Sequence, residues 1–265
     1  MRFTSAPMGL TLLSAISTAF AHSWLDDLTV VGGASIASTL GSKGYIRNYQ
    51  GHVDSTSSYR IEDPTLAAPA CAQFQQSSTS YTNALYPQLT AFAGDYIQGA
   101  YLENGHISKK ELPETQSGTT YWFGTADNSL QPTLAEVMAW KDGGDGAQGK
   151  LLAGPTDFDD GTCVEDNGTP EAIKRKAAGG GGPCKSTFKL PEDLQPGSTY
   201  TVYWVWDFSL HFGPQKVGHT EWYTSCVDIK IGGNTSTATA AAAAAGNKST
   251  RSIPRIRGRV PAARL

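Results

Sequence analysis

The chain has 265 residues, including 24 acidic and 21 basic side chains and four cysteines, which allows one sizeable core and excludes a disulfide-dense miniprotein. Only 17% of the residues are charged, and 29 glycines and 14 prolines indicate a loop-rich β protein rather than a helical bundle. All the acidic residues lie within residues 22–231 beside 14 basic ones, and the resulting net charge of −10 argues against nucleic acid as a partner.

Residues 1–21 have the pattern of a secretory signal peptide. Arg2 precedes an apolar run from Met8 to Phe20, and Ala19-Phe20-Ala21 supplies a small-x-small cleavage site. The run is interrupted by Thr and Ser and falls short of the roughly 20 residues of a membrane span, and no later segment qualifies. We therefore predict a secreted protein, extracellular or associated with the cell wall, that begins at His22.

Secretion favours disulfides and N-glycosylation. Four cysteines allow three pairings. We favour Cys71 with Cys226, which ties an early loop to the last strand, and Cys163 with Cys184, which closes a glycine-rich loop. Three sequons are candidate glycosylation sites, at Asn167, Asn234 and Asn247.

Short apolar segments between Gly- and Pro-rich turns predict strands at residues 24–31, 96–102, 198–208 and 220–231. Residues 43–49 fit a short strand or an extended loop, and residues 134–140 fit either a helix or a strand. Residues 142–182 are expected to be irregular apart from a helical turn at 171–177. Residues 22–231 are thus predicted to form one all-β domain, a two-sheet sandwich with long loops.

The C-terminal segments differ from this domain in composition. Residues 232–250 are dominated by Gly, Ala, Ser, Thr and Asn, which predicts a flexible linker. Residues 251–265 carry five arginines and no acid, which predicts a disordered basic tail. This tail is either simply solvated or able to contact acidic polymers or membrane surfaces.

A histidine at the mature N-terminus can chelate a metal through its α-amino group and its ring, since both groups lose a proton readily near neutral pH. A second imidazole would complete a three-nitrogen site, and this donor set favours copper. The available partners are His52, His106, His211 and His219. His106 is preferred because it follows a strand and the Gly105 kink, where a rigid scaffold presents a loop side chain. Alternatively, His22 is an accident of cleavage and binds nothing.

Several segments resemble the lytic polysaccharide monooxygenases, and more closely a fungal group of secreted proteins with the same N-terminal histidine. The matching segments are residues 22–24 (HSW), 44–47 (GYIR), 94–106, 200–207 (YTVYWVWD) and 221–226 (EWYTSC). The resemblance implies an immunoglobulin- or fibronectin-like β-sandwich with one copper ion at its surface. It places the copper-binding histidine brace on His22 and His106.

The last predicted strand carries the remaining site candidates. The resemblance implies an axial metal-ligand tyrosine at Tyr223, which stands three residues before Cys226. Residues 219, 221 and 223 project from the same face of a strand, so His219 and Glu221 are expected beside the metal. Glu221 could exchange a proton there or be a plain surface charge. Either His211 or His219 could supply the outer histidine found in some members, or both could be exposed loop residues.

The resemblance implies copper-dependent oxidative cleavage of polysaccharide glycosidic bonds. A polysaccharide or cell-wall glycan and an external electron donor are the expected partners, and a monomer is the expected state. Trp24, Tyr45 and Tyr49 are candidates for a flat aromatic substrate surface, because they lie near His22 in sequence.

Two alternatives are a non-catalytic secreted copper-binding or wall-associated protein with the same histidine brace, and a structural wall protein that binds no metal. The Ala/Thr/Ser-rich tail favours the first of them. A hydrolase is not indicated, because the sequence has no suitably spaced carboxylate pair, no Gly-x-Ser-x-Gly and no His-Glu-x-x-His.

Overall fold

The computed structural model describes residues 22–33, 39–77, 81–108, 117–142, 148–209 and 220–233. The predicted signal peptide, the basic tail and most of the linker lie outside the described residues. The same is true of His211, His219, Asn234 and Asn247. Within the described part of the chain, no helix is long and apolar enough to cross a membrane.

Strands dominate the described residues. They are β1 (Leu25–Gly32), β2 (Lys43–Gly44), β3 (Arg60–Ile61), β4 (Leu89–Ala91), β5 (Tyr96–Tyr101), β6 (Thr119–Thr125), β7 (Lys150–Asp157), β8 (Cys184–Lys189), β9 (Thr199–Asp207) and β10 (Trp222–Ile231). The α-helices are short: α1 (Asp54–Ser57), α2 (Leu134–Ala139) and α3 (Pro170–Ala177).

The strands form two sheets. The first has the order β2-β1-β5-β8, and the second has the order β3-β10-β9-β6-β7. Neighbours in both sheets are antiparallel, and β4 adds to β10 in parallel. The fold is therefore the all-β, immunoglobulin- or fibronectin-like sandwich with long loops that the sequence predicted.

Strand β9 is buried on both of its faces, which explains its nearly continuous apolar sequence. Trp204 and Trp206 join the cluster between the sheets, together with Leu28 of the first sheet. Tyr203 and Val205 project to the opposite face and join a second cluster under helix α2. The core is thus deepest around β9, the strand that leads to the candidate site.

The sequence of residues 134–140 fits either a helix or a strand. In the structure, Leu134–Ala139 form helix α2. Thr133 caps this helix: its hydroxyl accepts a hydrogen bond from the Glu136 N–H, and the Glu136 carboxylate accepts one from the Thr133 N–H. This reciprocal pair is the capping box, which satisfies N–H groups that lack partners within the helix.

Residues 142–182 are more regular than the sequence indicated. The helical turn predicted at 171–177 is present as α3, but the prediction of irregular structure is wrong for β7, which pairs with β6. Four of the eight residues of β7 are exposed and the other four are only partly buried. An edge strand of this kind need not alternate apolar and polar residues, so its sequence has no strand signal.

The structure contains the two disulfides favoured above. Cys71 pairs with Cys226 in β10, and Cys163 pairs with Cys184 at the start of β8. The first disulfide anchors the loop around residue 71 to the outer face of the second sheet, and the second fixes the loop that precedes α3. Both disulfides are compatible with an extracellular protein.

Candidate metal centre

Strand pairing brings the first residue of the domain beside the loop that follows β5. Leu25 of β1 is opposite Tyr101 of β5 in an antiparallel pair, and continuing this register places residue 22 opposite residue 104. Ser23 Oγ donates a hydrogen bond of 2.7 Å to the Leu102 carbonyl, and the Asn104 side-chain amide donates to the His22 carbonyl. The backbone of His22 is therefore held against the loop that carries His106.

A tight turn fixes the direction of His106. Asn104 and Gly105 have φ values of 45° and 85°, and the His106 N–H donates a hydrogen bond of 2.8 Å to the Glu103 carbonyl. Positive φ at both central residues is a feature of the type I′ turn, for which Asn-Gly is a preferred pair. The buried Glu103 carboxylate accepts hydrogen bonds from the Gly105 and Glu165 N–H groups and so supports this turn from within.

Both histidines lie against one pair of stacked aromatic rings. The Trp206 and Tyr223 rings stack with centroids 4.7 Å apart. The His106 ring meets Trp206 edge-on at 4.8 Å, and the His22 ring lies 6.0 Å from Tyr223. Phe208 contacts His106 from a further side at 4.1 Å. His106 is 8% exposed and Tyr223 is fully buried, so the aromatic rings form a rigid floor beneath the histidines.

Tyr223 and Glu221 form a buried hydrogen-bonded pair. The Tyr223 hydroxyl donates to Glu221 Oε1 at 2.5 Å, which confirms that the two side chains share a face. Burial, and then the neighbouring carboxylate, raise the pKa of Tyr223 well above its ordinary value. The side chain is therefore a neutral phenol at neutral pH. Arg60 lies opposite Tyr223 in β3 and partly opposes this shift in pKa.

The sequence analysis did not identify Asp54, which meets the ring of His22. Its two carboxylate oxygens lie 2.9 and 3.0 Å from His22 Nδ1. The side chains of His22 and Asp54 are 20% and 52% exposed, so the pair lies at the protein surface. No sequence signal marks Asp54, because it stands in a long polar stretch and the contact spans 32 residues.

His52, one of the alternative partners for His22, is engaged elsewhere. Its ring packs on Trp24 with centroids 4.6 Å apart, and its Nδ1 lies 2.7 Å from Asp26 Oδ1. The same carboxylate oxygen accepts hydrogen bonds from the Trp24 indole at 3.1 Å and the Tyr49 hydroxyl at 2.8 Å. His52 thus belongs to a separate cluster around Asp26.

The predicted substrate surface is contradicted for two of its three members. Trp24 and Tyr49 are only 4% and 6% exposed, because both turn inward toward Asp26 and the core. Tyr45 is partly buried and stacks on Tyr49 at 5.3 Å. These aromatic side chains build the interior behind the candidate centre and do not form a flat exposed platform.

The family comparison matches residues 19–255 to a domain of unknown function, DUF7492. The chain belongs to the DUF7492 family. No curated protein matches this DUF7492 member.

Solved structures similar to this DUF7492 member include CvAA9A, with 18% identity, a TM-score of 0.44 and coverage of 81% of this chain and 80% of that one. A cellulose-active polysaccharide monooxygenase from M. thermophila is 17% identical, with a TM-score of 0.37 and coverage of 80% and 79%. The glycoside hydrolase family 61 member Cel61B from Hypocrea jecorina is 14% identical, with a TM-score of 0.35 and coverage of 80% and 82%. A polysaccharide monooxygenase is thus among the similar structures. These TM-scores are below 0.5, so only this chain's own residues can indicate its chemistry.

A different group of potential ligands lies near the second disulfide. The ligand atoms of Asp159, Cys163 and Cys184 all lie within 4.8 Å of one another. Among the described residues, this is the one group of three His, Cys, Asp or Glu side chains that is so close together. Both cysteines are in the disulfide, and Asp159 forms a two-pronged ion pair with Arg175 at 2.6 and 2.8 Å. The group is therefore structural.

Proposed function

We propose that the protein is a copper-dependent enzyme that cleaves polysaccharide glycosidic bonds oxidatively. One observation carries the proposal: His22 and His106 flank the same Trp206–Tyr223 stack, at the residue where cleavage of the predicted signal peptide would free an α-amine. Two imidazoles and one amine are donors that suit Cu(II). Bound copper would supply the one-electron redox chemistry for glycosidic bond oxidation, with dioxygen or peroxide as the oxidant and electrons from an external donor.

The chain's own groups have distinct parts in this proposal. Asn104 holds the carbonyl of His22, and the 103–106 turn holds the backbone of His106, so the two histidines are held in neighbouring segments before the metal binds. Trp206 and Tyr223 exclude water from the inner side of the centre. Glu221 Oε1 accepts the Tyr223 hydrogen bond and offers a site that can hold a proton. The outer side of the centre, where Asp54 is half-exposed, leaves room for a polymer to bind, and no deep cavity is needed.

We also propose that the protein is a secreted monomer with a domain at 22–231, a linker at 232–250 and a basic tail at 251–265. Asn167, which is exposed shortly before helix α3, is proposed to be glycosylated. The two disulfides and the sequon at an exposed position support this assignment. A polysaccharide or cell-wall glycan is the proposed partner.

The test is release of oxidised oligosaccharides from a panel of polysaccharides by the copper-loaded mature chain with a reductant. We expect oxidised products with the wild type and with His52→Ala, and none with His106→Ala. His52→Ala is the matched control because it removes a partly exposed imidazole from the separate Asp26 cluster. Equal product release by the two variants would contradict the proposed centre.

A second candidate is a non-catalytic copper-binding protein with the same two histidines. The Asp54 carboxylate beside His22 Nδ1 favours it, because an extra protein donor can fill a position that a catalytic metal keeps open. Tight copper binding without oxidised products from any polysaccharide would support this candidate.

A further inference from the structure

We propose that Asp54 is a further protein ligand of the metal held by His22, an inference that rests on the proposed copper site. The evidence is the position of its carboxylate, with both oxygens within 3.0 Å of a single ring nitrogen, His22 Nδ1.

Metal binding by His22 depends on which nitrogen of its ring faces Asp54. An N-terminal histidine closes a chelate ring through its amine and Nδ1, because Nε2 lies on the far side of the ring. The nitrogen that the chelate needs is therefore the one that faces Asp54. A metal at Nδ1 would take the place of the hydrogen bond between the ring and the carboxylate, and it would leave Asp54 beside the metal as a candidate ligand.

The carboxylate is close enough to take part in metal binding. Its oxygens lie 2.9 and 3.0 Å from Nδ1, so the carboxylate would turn aside from the ring nitrogen and bind a metal held there as a neighbouring ligand. By contrast, ligand atoms of His22, Asp54 and His106 are not all within 4.8 Å of one another. His22 and Asp54 are thus already in contact, whereas His106 must move closer to them to complete the site.

The backbone around Asp54 places this carboxylate. The Val53 N–H donates a hydrogen bond of 2.8 Å to the Gly51 carbonyl, and the Ser57 hydroxyl donates one of 3.2 Å to the same oxygen. Ser57 is fully buried, and helix α1 runs directly into β3, which pairs with the strand of Tyr223. Asp54 therefore lies on a short anchored segment that is fixed to the same sheet as the aromatic floor.

A carboxylate donor also predicts a redox property. Carboxylate oxygen is a hard ligand, whereas Cu(I) prefers soft ligands, so Asp54 would stabilise Cu(II) relative to Cu(I). Loss of this ligand is expected to raise the reduction potential of the bound copper. A residue that supports the fold far from the metal would not change this potential.

The experiment uses the mature chain with a His22 N-terminus verified by mass spectrometry. Cu(II) affinity is measured by calorimetric titration, the ligand environment by electron paramagnetic resonance, and the potential by reductive titration, for wild type, Asp54→Asn and His106→Ala. Asp157→Asn is the matched control, because it removes the same charge from an exposed position at the end of β7. Thermal unfolding of the metal-free proteins verifies that each variant is folded.

We expect Asp54→Asn to weaken Cu(II) binding at least about 10-fold, since even outer partners of metal ligands contribute about 10- to 100-fold. The copper hyperfine splitting should change and the potential should rise, while Asp157→Asn changes neither.

If Asp54→Asn matches Asp157→Asn in affinity, spectrum and potential, the Asp54 assignment is overturned. In that case, loss of a nitrogen signal in His106→Ala would still support the proposed copper site. If the wild type binds no Cu(II), both proposals are overturned.

Discussion

Two carboxylates of this protein, Asp228 and Asp54, each bind a cationic or basic side chain in very different surroundings. Asp228 is fully buried in β10 and accepts hydrogen bonds from Arg47 Nε at 2.7 Å, Arg47 Nη2 at 2.6 Å and Thr201 at 2.8 Å. Asp54 is half-exposed, and both of its oxygens are directed at one nitrogen of His22.

The difference separates a pair that the fold requires from one that it does not require. A buried ion pair is tolerated only when its hydrogen bonds are satisfied, and Arg47 and Asp228 meet this condition while joining the 45–50 loop to β9 and β10. An exposed pair contributes about 0–1 kcal/mol to folding. The fold therefore has little need of the Asp54–His22 contact, and the proposed metal binding would give this contact a role.

The largest effect on stability is expected from Asp228→Asn. The substitution leaves the Arg47 guanidinium buried without a counter-charge, which costs about 3–5 kcal/mol of the free energy of unfolding. Urea unfolding of the metal-free protein measures this loss. A loss as small as that of an exposed ion pair would contradict the structural role of Asp228.

A smaller effect is expected from Tyr223→Phe, which removes a buried hydrogen bond to the Glu221 carboxylate at a cost of about 1.5–3 kcal/mol. The pKa of Tyr223 is raised in the folded protein, mainly by burial, whereas an unfolded tyrosine ionises near pH 10. Above about pH 10 the unfolded state thus loses a proton that the folded state retains, so stability falls as pH rises. Urea unfolding as a function of pH should show a shallower alkaline decline for Tyr223→Phe than for the wild type. Identical slopes would contradict the burial of this phenol.

The smallest effect on stability is expected from Asp54→Asn, with a change of less than about 0.5 kcal/mol in the metal-free protein. The same urea measurement, with a chelator present, provides the value. A loss comparable with that of Asp228→Asn would mean that the His22–Asp54 contact supports the fold, and the contrast between the two pairs would disappear.

Much of the fold could be predicted because local patterns agree with the tertiary structure. Trp204 and Trp206 alternate with Tyr203 and Val205 and so indicate a strand, and each set packs into its own cluster. Strand β7 could not be predicted, since an exposed edge strand is held by backbone pairing with β6 and not by an apolar pattern.

The candidate site was predictable where chemistry or periodicity marks a residue. His22 stands out by its position after a cleavage site, and Glu221 by its two-residue spacing from Tyr223, which the family resemblance implied. Asp54 could not be found in this way, because its position depends on the turn at Gly51, where φ is 104°. Proximity in sequence to His22 was misleading for Trp24 and Tyr49, whose polar atoms turn inward to Asp26.

The most direct measurement is electron paramagnetic resonance of the mature chain with one equivalent of Cu(II), compared between wild type and His106→Ala. Nitrogen couplings from the amine, the His22 ring and the His106 ring are expected in the wild type, with one nitrogen fewer in the variant. If both proteins give the same spectrum, His106 does not bind the metal, and the account of a two-histidine copper centre is contradicted.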